Sequence, residues 1–313
     1  MSMPEVSVVM GVYNGAEHLE QTLASILSQE GCDLEFIVVD DGSTDDTGRI
    51  LDAWAARDSR LRVIHQQNAG LTRALIQGCA LAKGEYIARQ DVEDISLQGR
   101  LRRQADRLRE DAGCVAVSCH TDFVGPQGEY LYTVKISGHD LNRTLLSTDP
   151  DVLAGPAGHG SVMMRRRVYE AVGGYRSSFY FAQDLDLWTR LIEHGHFSVE
   201  PTVLFRVYLA PKSISGMWSK EQRRLKEIIA QASASRRKGE AEDQQLSEAE
   251  VVHRHSKDKA LRRLSSGYYF IGSCLRRRDP VAASGYFLQA TRHDPINWRA
   301  WLRLVECKVK GAF

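Results

Sequence analysis

Through the first third of the chain, short apolar runs alternate with apolar positions spaced for helices. The stretch Val6–Val12 is mostly apolar and predicts a strand buried on both faces. Tyr13-Asn14-Gly15 breaks it, and Leu19, Leu23, Ile26 and Leu27 then share one helical face. Residues 36–39 form a second strand pattern, stopped by the turn sequence Asp40-Asp41-Gly42-Ser43. Thr44 or Asp45 can cap the next helix, whose inner face holds Ile50, Leu51 and Trp54. A third strand at residues 61–64 and a third helix through Leu71, Leu75, Gly78, Cys79 and Ala82 follow. Residues 86–88 are a fourth strand, ending at Arg89-Gln90-Asp91.

This order predicts an α/β fold: a mostly parallel, Rossmann-like sheet with helices on both faces. Ligands of such sheets bind beyond the carboxyl ends of the strands. Tyr13-Asn14, Asp40-Asp41 and Asp91-Val92-Glu93-Asp94 all fall at such ends, so the topology gathers them on one rim. After Asp94 the pattern predicts a helix through Leu97, Leu101 and Leu108, a strand at 115–117 and a hairpin turn at Gly125-Pro126-Gln127-Gly128. Residues 138–160, rich in Gly, Pro, Asp and Thr, read as loops. Regular structure returns at 162–172, and residues 184–193 predict a helix with Leu187, Leu191 and Ile192 inward.

From about Ser219 the pattern becomes long and helical with basic residues, which divides the chain into residues 1–218 and a helical extension, 219–313. Residues 238–250 read as a linker or an exposed helix. Two or three helices across 267–309 are similar to a tetratricopeptide pair, with only about one repeat length visible.

Composition narrows the class. Hydrophobic residues are 43% and charged residues 26% of 313, ordinary for a globular protein. Forty-one basic side chains balance 40 acidic ones, so nothing suggests a nucleic-acid partner. The six cysteines form no C-x-x-C pair, which favours buried reduced thiols and a cytoplasmic protein. No apolar run approaches the roughly 20 residues needed to span a bilayer. The basic runs Arg236-Arg237-Lys238 and Arg276-Arg277-Arg278 could touch anionic lipid at the inner face of a membrane, although a solvated helix face is the simpler reading.

Three acidic groups carry candidate chemistry. Asp91-Val92-Glu93 lies between a strand and a helix, where alternate carboxylates can approach one Mg²⁺ or Mn²⁺; helix capping by Asp94 and its neighbours competes with that reading. Asp40 and Asp41 can accept hydrogen bonds from a base or ribose, or simply make a good turn. Asp184 opens a helix whose dipole favours an ionised carboxylate, as a general base needs, and on spacing alone capping explains it as well. His159, between Gly158 and Gly160, could face a phosphate or an acceptor. There is no G-x-S-x-G elbow, G-x-G-x-x-G fingerprint or P-loop.

Taken in order, these segments resemble the family 2 glycosyltransferases of the GT-A fold. The matching stretches are residues 6–14, 36–45, 68–75 and 84–91, then Gly173-Gly174-Tyr175 and Asp184-Leu185-Asp186-Leu187-Trp188. The resemblance covers roughly residues 4–216. It implies a nucleotide site made of Val12, Tyr13, Asn14, Asp40, Asp41, Arg73 and Asp91, and a divalent cation, Mn²⁺ or Mg²⁺, on Asp91 and Glu93. It implies Asp184 as the base of an inverting transfer, with His159 and Arg190 near the phosphate or acceptor. The implied donor is a nucleoside-diphosphate sugar, a uridine one by preference. The implied acceptor is a hydroxyl of a glycan or lipid-linked glycan, in bacterial surface polysaccharide or glycoconjugate synthesis.

Three positions depart from the family pattern. Glu93 replaces the second aspartate of D-x-D, Gln183 precedes Asp184 where a glutamate is usual, and Tyr208 stands where Arg-x-His often ends. They keep open a second reading, a sugar-nucleotide-binding protein with little or no catalysis and a helical partner-binding module. A nucleotidyltransferase is disfavoured, because no Gly-rich, Arg- and Lys-bearing loop is present to grip a triphosphate.

Overall fold

The structure, a computed structural model, describes residues 3–212, 219–252 and 260–310. The first four strands and three helices follow the expected order: β1 (Val6–Val12), α1 (Ala16–Leu27), β2 (Leu34–Asp40), α2 (Thr47–Ala55), β3 (Leu61–His65), α3 (Leu71–Ala80) and β4 (Tyr86–Arg89). Strands β3, β2, β1 and β4 lie side by side and parallel, with Val12 opposite Asp40 and Val9 opposite Arg89. All their carboxyl ends therefore meet one edge.

Beyond β4 the sheet turns antiparallel, which the strand–helix alternation did not anticipate. Its further strands are β5 (Ile95–Ser96), β6 (Cys114–Val124), β7 (Tyr130–Val134), β8 (Met163–Arg165) and β9 (His196–Tyr208). Strand β8 sits antiparallel between β4 and β6, and β9 pairs antiparallel with β5. Leu97, expected in a helix, instead follows β5 and donates its N–H to the Leu204 carbonyl at 2.9 Å. Helix α4 (Arg100–Glu110) begins only after Gly99, whose φ of 79° ends the extended segment. The stretch read as loops, residues 138–160, contains α5 (Gly138–Leu145). Ser137 caps it by accepting from the Asp140 N–H, and Leu141 and Leu145 point inward. Helices α6 (Arg166–Ala171) and α7 (Gln183–Leu191) follow β8. After them come α8 (Ser219–Arg237), α9 (Asp243–Glu250), α10 (Ala260–Leu275), α11 (Pro280–His293) and α12 (Trp298–Lys310).

Strand alternation divides the main core in two. Val8, Met10, Phe36 and Val38 face Leu19, Leu23 and Ile26 of α1 and Leu101, Ala105 and Leu108 of α4. Val9, Ile37 and Ile87 face Leu75 and Cys79 of α3 and Leu187, Trp188 and Leu191 of α7. Both faces are closed by helices, so the chain is apolar through β1 and β2 rather than alternating. All six cysteines are free thiols, four of them buried.

The chain divides into two compact units. The first comprises residues 1–121, 134–207 and 225–251; the second comprises 122–133, 208–224 and 252–313. Within the second, Leu131 joins Ile271, Leu275, Ala283, Phe287, Leu304 and Cys307 in a core built mainly by α10, α11 and α12. Neither basic run is a simple solvated face. In the first unit, Arg236 reaches Glu193 at 2.9 Å and Glu242 at 2.6 Å, and Arg237 approaches Glu193 at 3.5 Å. In the second, Arg278 lies 4.7 Å over the Tyr130 ring, and Arg276 is 3.8 Å from Glu306. No helix among the described residues is long and apolar enough to cross a membrane.

Candidate active site

The ends of β1 and β2 are tied together by their own polar groups. The Asp41 N–H donates to the Val12 carbonyl at 2.8 Å. Asn14 adopts a left-handed φ of 51°, which asparagine tolerates better than most residues. That conformation lets its N–H reach Ser43 Oγ at 3.0 Å and its Oδ1 accept from the Thr44 N–H at 2.8 Å. Between them Tyr13 is 51% exposed, an aromatic face open at the rim on which a planar base can stack.

Asp40 and Asp41 are buried and bonded on every side. Asp40 Oδ1 accepts from the Ser43 N–H at 3.0 Å, and Oδ2 meets His65 Nδ1 at 2.8 Å. The His65 ring is held in turn by Asp52 at 3.1 Å. Hydrogen bonds to Asp40 and then Asp52 raise the His65 pKa above its ordinary value. Asp41 Oδ1 accepts from Gln66 Nε2 at 2.6 Å and from the Ala69 N–H at 2.8 Å, while Oδ2 accepts from the Gly70 N–H at 2.8 Å. The cap of α2, expected at Thr44 or Asp45, is Asp46, which makes no side-chain capping bond; Asp45 instead ties the turn before it, its Oδ1 accepting from the Thr47 N–H and its Oδ2 from the Ala16 N–H.

The turn after β4 is built differently. Gln90, fully buried, donates from Nε2 to the carbonyls of Asp91 at 3.0 Å and Asp94 at 2.8 Å. This clamp holds the turn in a shape where Glu93 has a φ of 80°, a conformation that costs a non-glycine residue about 1–2 kcal/mol. Beneath it lie two buried guanidinium groups. Arg89, 1% exposed, bonds Asp91 Oδ1 and donates to the Val9 carbonyl at 3.2 Å, while its Nε has no partner. Arg100 donates to the Arg89 carbonyl at 2.7 Å, to Gln90 Oε1 at 3.1 Å and to Ser96 Oγ at 2.5 Å. Because all its acceptors are neutral and it is buried, its pKa falls to about 10.

Glu93 has no such support. Burial pushes its pKa up; nearby His18 opposes that, while the charges of Glu17 and Asp91 add to it. Glu93 thus sits two residues from a second carboxylate, in a place where its own negative charge is disfavoured. Among the described residues no three His, Cys, Asp or Glu side chains gather around one point. The pair still suits Mg²⁺ or Mn²⁺, which one or two carboxylates can hold when phosphate oxygens and water complete the shell.

The third acidic group comes to the same place. Asp184, in the first turn of α7, accepts the Leu185 N–H at 2.8 Å, and its own N–H also bonds its carboxylate. Burial raises its pKa, the Asp91 charge raises it further, and Arg89 opposes both. Asp184, Asp91 and Arg89 therefore lie within one another's electrostatic reach. Gln183 beside it is buried with its Oε1 unpartnered. The turn His159–Ser161 also closes on β4: a Cβ on Gly160 would stand 3.3 Å from the Asp91 nitrogen and 2.5 Å from Phe205. His159 bonds Tyr175 Oη through Nε2 at 2.7 Å, and burial, helped by the Arg89 charge, keeps its pKa well below 6.5. It is a neutral ring.

Two expected residues are not brought into this group. Arg190 is 3% exposed and bonded to Asp186 at 2.5 Å and to the Val172 carbonyl at 2.7 Å. Asp186 is two positions from Asp184, on another side of α7, so Arg190 belongs to an internal ion pair rather than to an open phosphate site. Arg73 lies in the first turn of α3 with its side chain exposed. Sequence reasoning missed Arg89, Gln90, Arg100 and Gln66. Arg89-Gln90, polar residues closing an otherwise apolar strand, were the signal available for two of them; Gln66 had none.

The sequence model of the family described as "Glycosyl transferase family 2" matches residues 7–173. The chain is 37% identical over 200 residues to the putative glycosyltransferase EpsE of Bacillus subtilis, covering 62% of this chain and 69% of that protein. Among solved structures it is similar to the mannosyltransferase PcManGT from Pyrobaculum calidifontis in complex with GDP-Man and Mn²⁺. That similarity has a TM-score of 0.57 and 21% identity, over 100% of this chain and 88% of that one. S. aureus TarS 1–349 in complex with UDP gives a TM-score of 0.54 at 14% identity, over 97% and 88% of the two chains. At these identities the two structures speak for the fold, a GT-A-like sheet.

Proposed function

The chain belongs to glycosyl transferase family 2, and on that premise we propose an inverting transfer from a UDP-linked sugar to a hydroxyl of a glycan or lipid-linked acceptor, in bacterial surface polysaccharide synthesis. The observation that carries this reading is the meeting of Asp184 with the β4 turn. A half-buried carboxylate of raised pKa stands within electrostatic reach of Asp91 and is held only by backbone N–H groups.

Asp184 accepts the proton of the acceptor hydroxyl as that oxygen attacks the anomeric carbon. Its raised pKa strengthens it as a base, while Arg89 keeps the ionised form within reach. Attack opposite the departing diphosphate inverts the anomeric centre in one displacement. Tyr13 stacks on the base, and the loops tied by Asp40 and Asp41 receive the base and ribose. Asp91 and Glu93 would hold a divalent cation, which supplies positive charge for the leaving diphosphate. Neutral His159, bonded to Tyr175, lines the acceptor side without adding charge.

Relatives support the parts of this reading unequally. UDP and Mn²⁺ are bound in the TarS and PcManGT complexes respectively, which resemble this chain only in fold. The similarity to the putative glycosyltransferase EpsE supports sugar transfer, and the polysaccharide role rests on the family resemblance. The test is a thermal melt with UDP or GDP, each with and without Mn²⁺. Nucleotide at about a hundredfold its Kd stabilises a binding protein by roughly 2.7 kcal/mol. UDP should raise the melting temperature more with Mn²⁺ than without. No shift with either nucleotide would overturn the reading, and a shift with GDP alone would replace uridine by guanosine.

A further inference from the structure

Helix α12 is apolar on two opposite sides. One side, Ala300, Leu304 and Cys307, is buried within the second unit. The other carries Trp298, Leu302, Val305 and Val309, which are 66%, 56%, 59% and 58% exposed. Steps of four, three and four residues align these side chains in one stripe along the helix. Trp301 borders the stripe, and exposed Ile296 precedes it. Single exposed apolar residues are ordinary on a protein surface; a continuous stripe with two tryptophans is not.

The borders of the stripe are basic. Helix α12 carries Arg299, Arg303 and Lys308 against one carboxylate, Glu306. That carboxylate is matched by Arg303 at 2.6 Å and by Arg276 of α10 at 3.8 Å. The Arg299 guanidinium lies 5.6 Å over the Trp298 ring.

We propose that this stripe docks on a membrane surface rich in anionic lipid, with α12 lying in the plane of the interface. Tryptophan and aliphatic side chains enter the boundary beneath the headgroups, and the flanking cations meet lipid phosphates. A second copy of the chain fits less well, because isologous pairing would set the same basic borders against each other. The surface differs from the Arg236-Arg237-Lys238 run, where Arg236 and Arg237 are engaged by Glu193 and Glu242. The proposal does not depend on the donor or on the base.

Co-sedimentation of the full chain with vesicles tests it, using phosphatidylcholine alone and phosphatidylcholine mixed with phosphatidylglycerol. Binding is expected only to the mixed vesicles, strongest at low salt. The variant Trp298→Gln/Leu302→Gln/Val305→Gln should bind about tenfold more weakly. Its melting temperature should not change, because all three side chains face solvent. Arg299→Gln/Lys308→Gln should remove most of the salt dependence. Absence of wild-type binding to the mixed vesicles at low salt overturns the proposal, as does equal binding by the triple variant. A dimer seen by light scattering and broken by the triple variant, without vesicle binding, would assign the stripe to a second copy instead.

Discussion

At the end of β2, Asp40 and Asp41 receive three backbone N–H groups and the Gln66 amide, and Asp40 also bonds the His65 ring. At the end of β4, Asp91 has only Arg89, and Glu93 is pressed by burial and by the charges of Glu17 and Asp91. The two acidic pairs look alike in the sequence, and both close a parallel strand on the same edge. Their bonding separates them. The first pair shapes loops: removing a carboxylate there breaks the wall of a site. In the second pair Asp91 meets Arg89, while burial disfavours the charge of Glu93 and of nearby Asp184, an arrangement suited to a place where a cation, a proton or a developing charge arrives. On the proposed function, the sparsely bonded carboxylates are the ones assigned to chemistry and the well-bonded ones to the frame.

The largest expected effect lies on the poorly bonded side. Asp184→Asn keeps the shape of the side chain and removes the base, so turnover should fall about 10³-fold. UDP binding should be nearly unchanged, because Asp184 bonds no residue of the β2 loops. The measurement is initial transfer rate beside a UDP titration of the same preparation. Wild-type turnover in the variant would remove Asp184 from the mechanism. A wild-type chain with no Asp184-dependent turnover on any donor would favour a sugar-nucleotide-binding protein instead, the reading that Glu93, Gln183 and Tyr208 keep open.

The next effect falls on the frame. In Asp41→Asn the amide carbonyl can still serve Gln66 and Ala69, while its NH₂ faces the Gly70 N–H. One buried donor loses its acceptor, at a cost of roughly 1–3 kcal/mol. The Asn68–Gly70 turn should loosen, since Gly70 has a φ of 89° and a Cβ there would stand 2.8 Å from Tyr180. The melting temperature and UDP affinity should fall together in this variant, whereas Asp184→Asn should lower neither. If Asp41→Asn melts like wild type yet loses UDP, the aspartate is a direct nucleotide contact and the contrast between the two pairs is weaker than its bonding implies.

This contrast marks how far the sequence could be read. Apolar runs bounded by turns located β1 to β4 and α1 to α3, because parallel strands buried on both faces leave a plain signature. The strand-end rule gathers Tyr13-Asn14, Asp40-Asp41 and Asp91–Asp94 on one rim, whereas Asp184, at the start of a helix, came only from the family resemblance. The antiparallel half was less legible: β5 is only two residues long, and β8 only three. Helix α5 was hidden because Gly138 reads as a breaker, whereas Ser137 caps the helix. Bonding partners were the least legible part. Gln66 and the Ala69 and Gly70 N–H groups lie some 25–29 residues from Asp41, and only the pairing of β2 with β3 brings them to it. Arg190 is the opposite case: its partner Asp186 stands one helical turn away, a spacing visible in the sequence but not weighed against a phosphate role.

The smallest effect should also be the most diagnostic, because its sign changes with conditions. Burial raises the folded-state pKa of Glu93 above its ordinary value of 4.5. Folding therefore favours the protonated acid. Below the unfolded pKa both states are protonated and the group is neutral to stability; as pH rises through the folded pKa, the ionised form enters and stability is lost. Glu93→Gln has no charge to lose. Without metal it should melt with the wild type at low pH and about 2 °C above it near neutrality. Mn²⁺ should then reverse the order, stabilising the wild type more than the variant, because a cation on Asp91 and Glu93 relieves the repulsion that the glutamine has already removed. A variant that melts below the wild type at neutral pH without metal would mean that Glu93 is well bonded after all. The acidic ends of β2 and β4 would then be two versions of one frame.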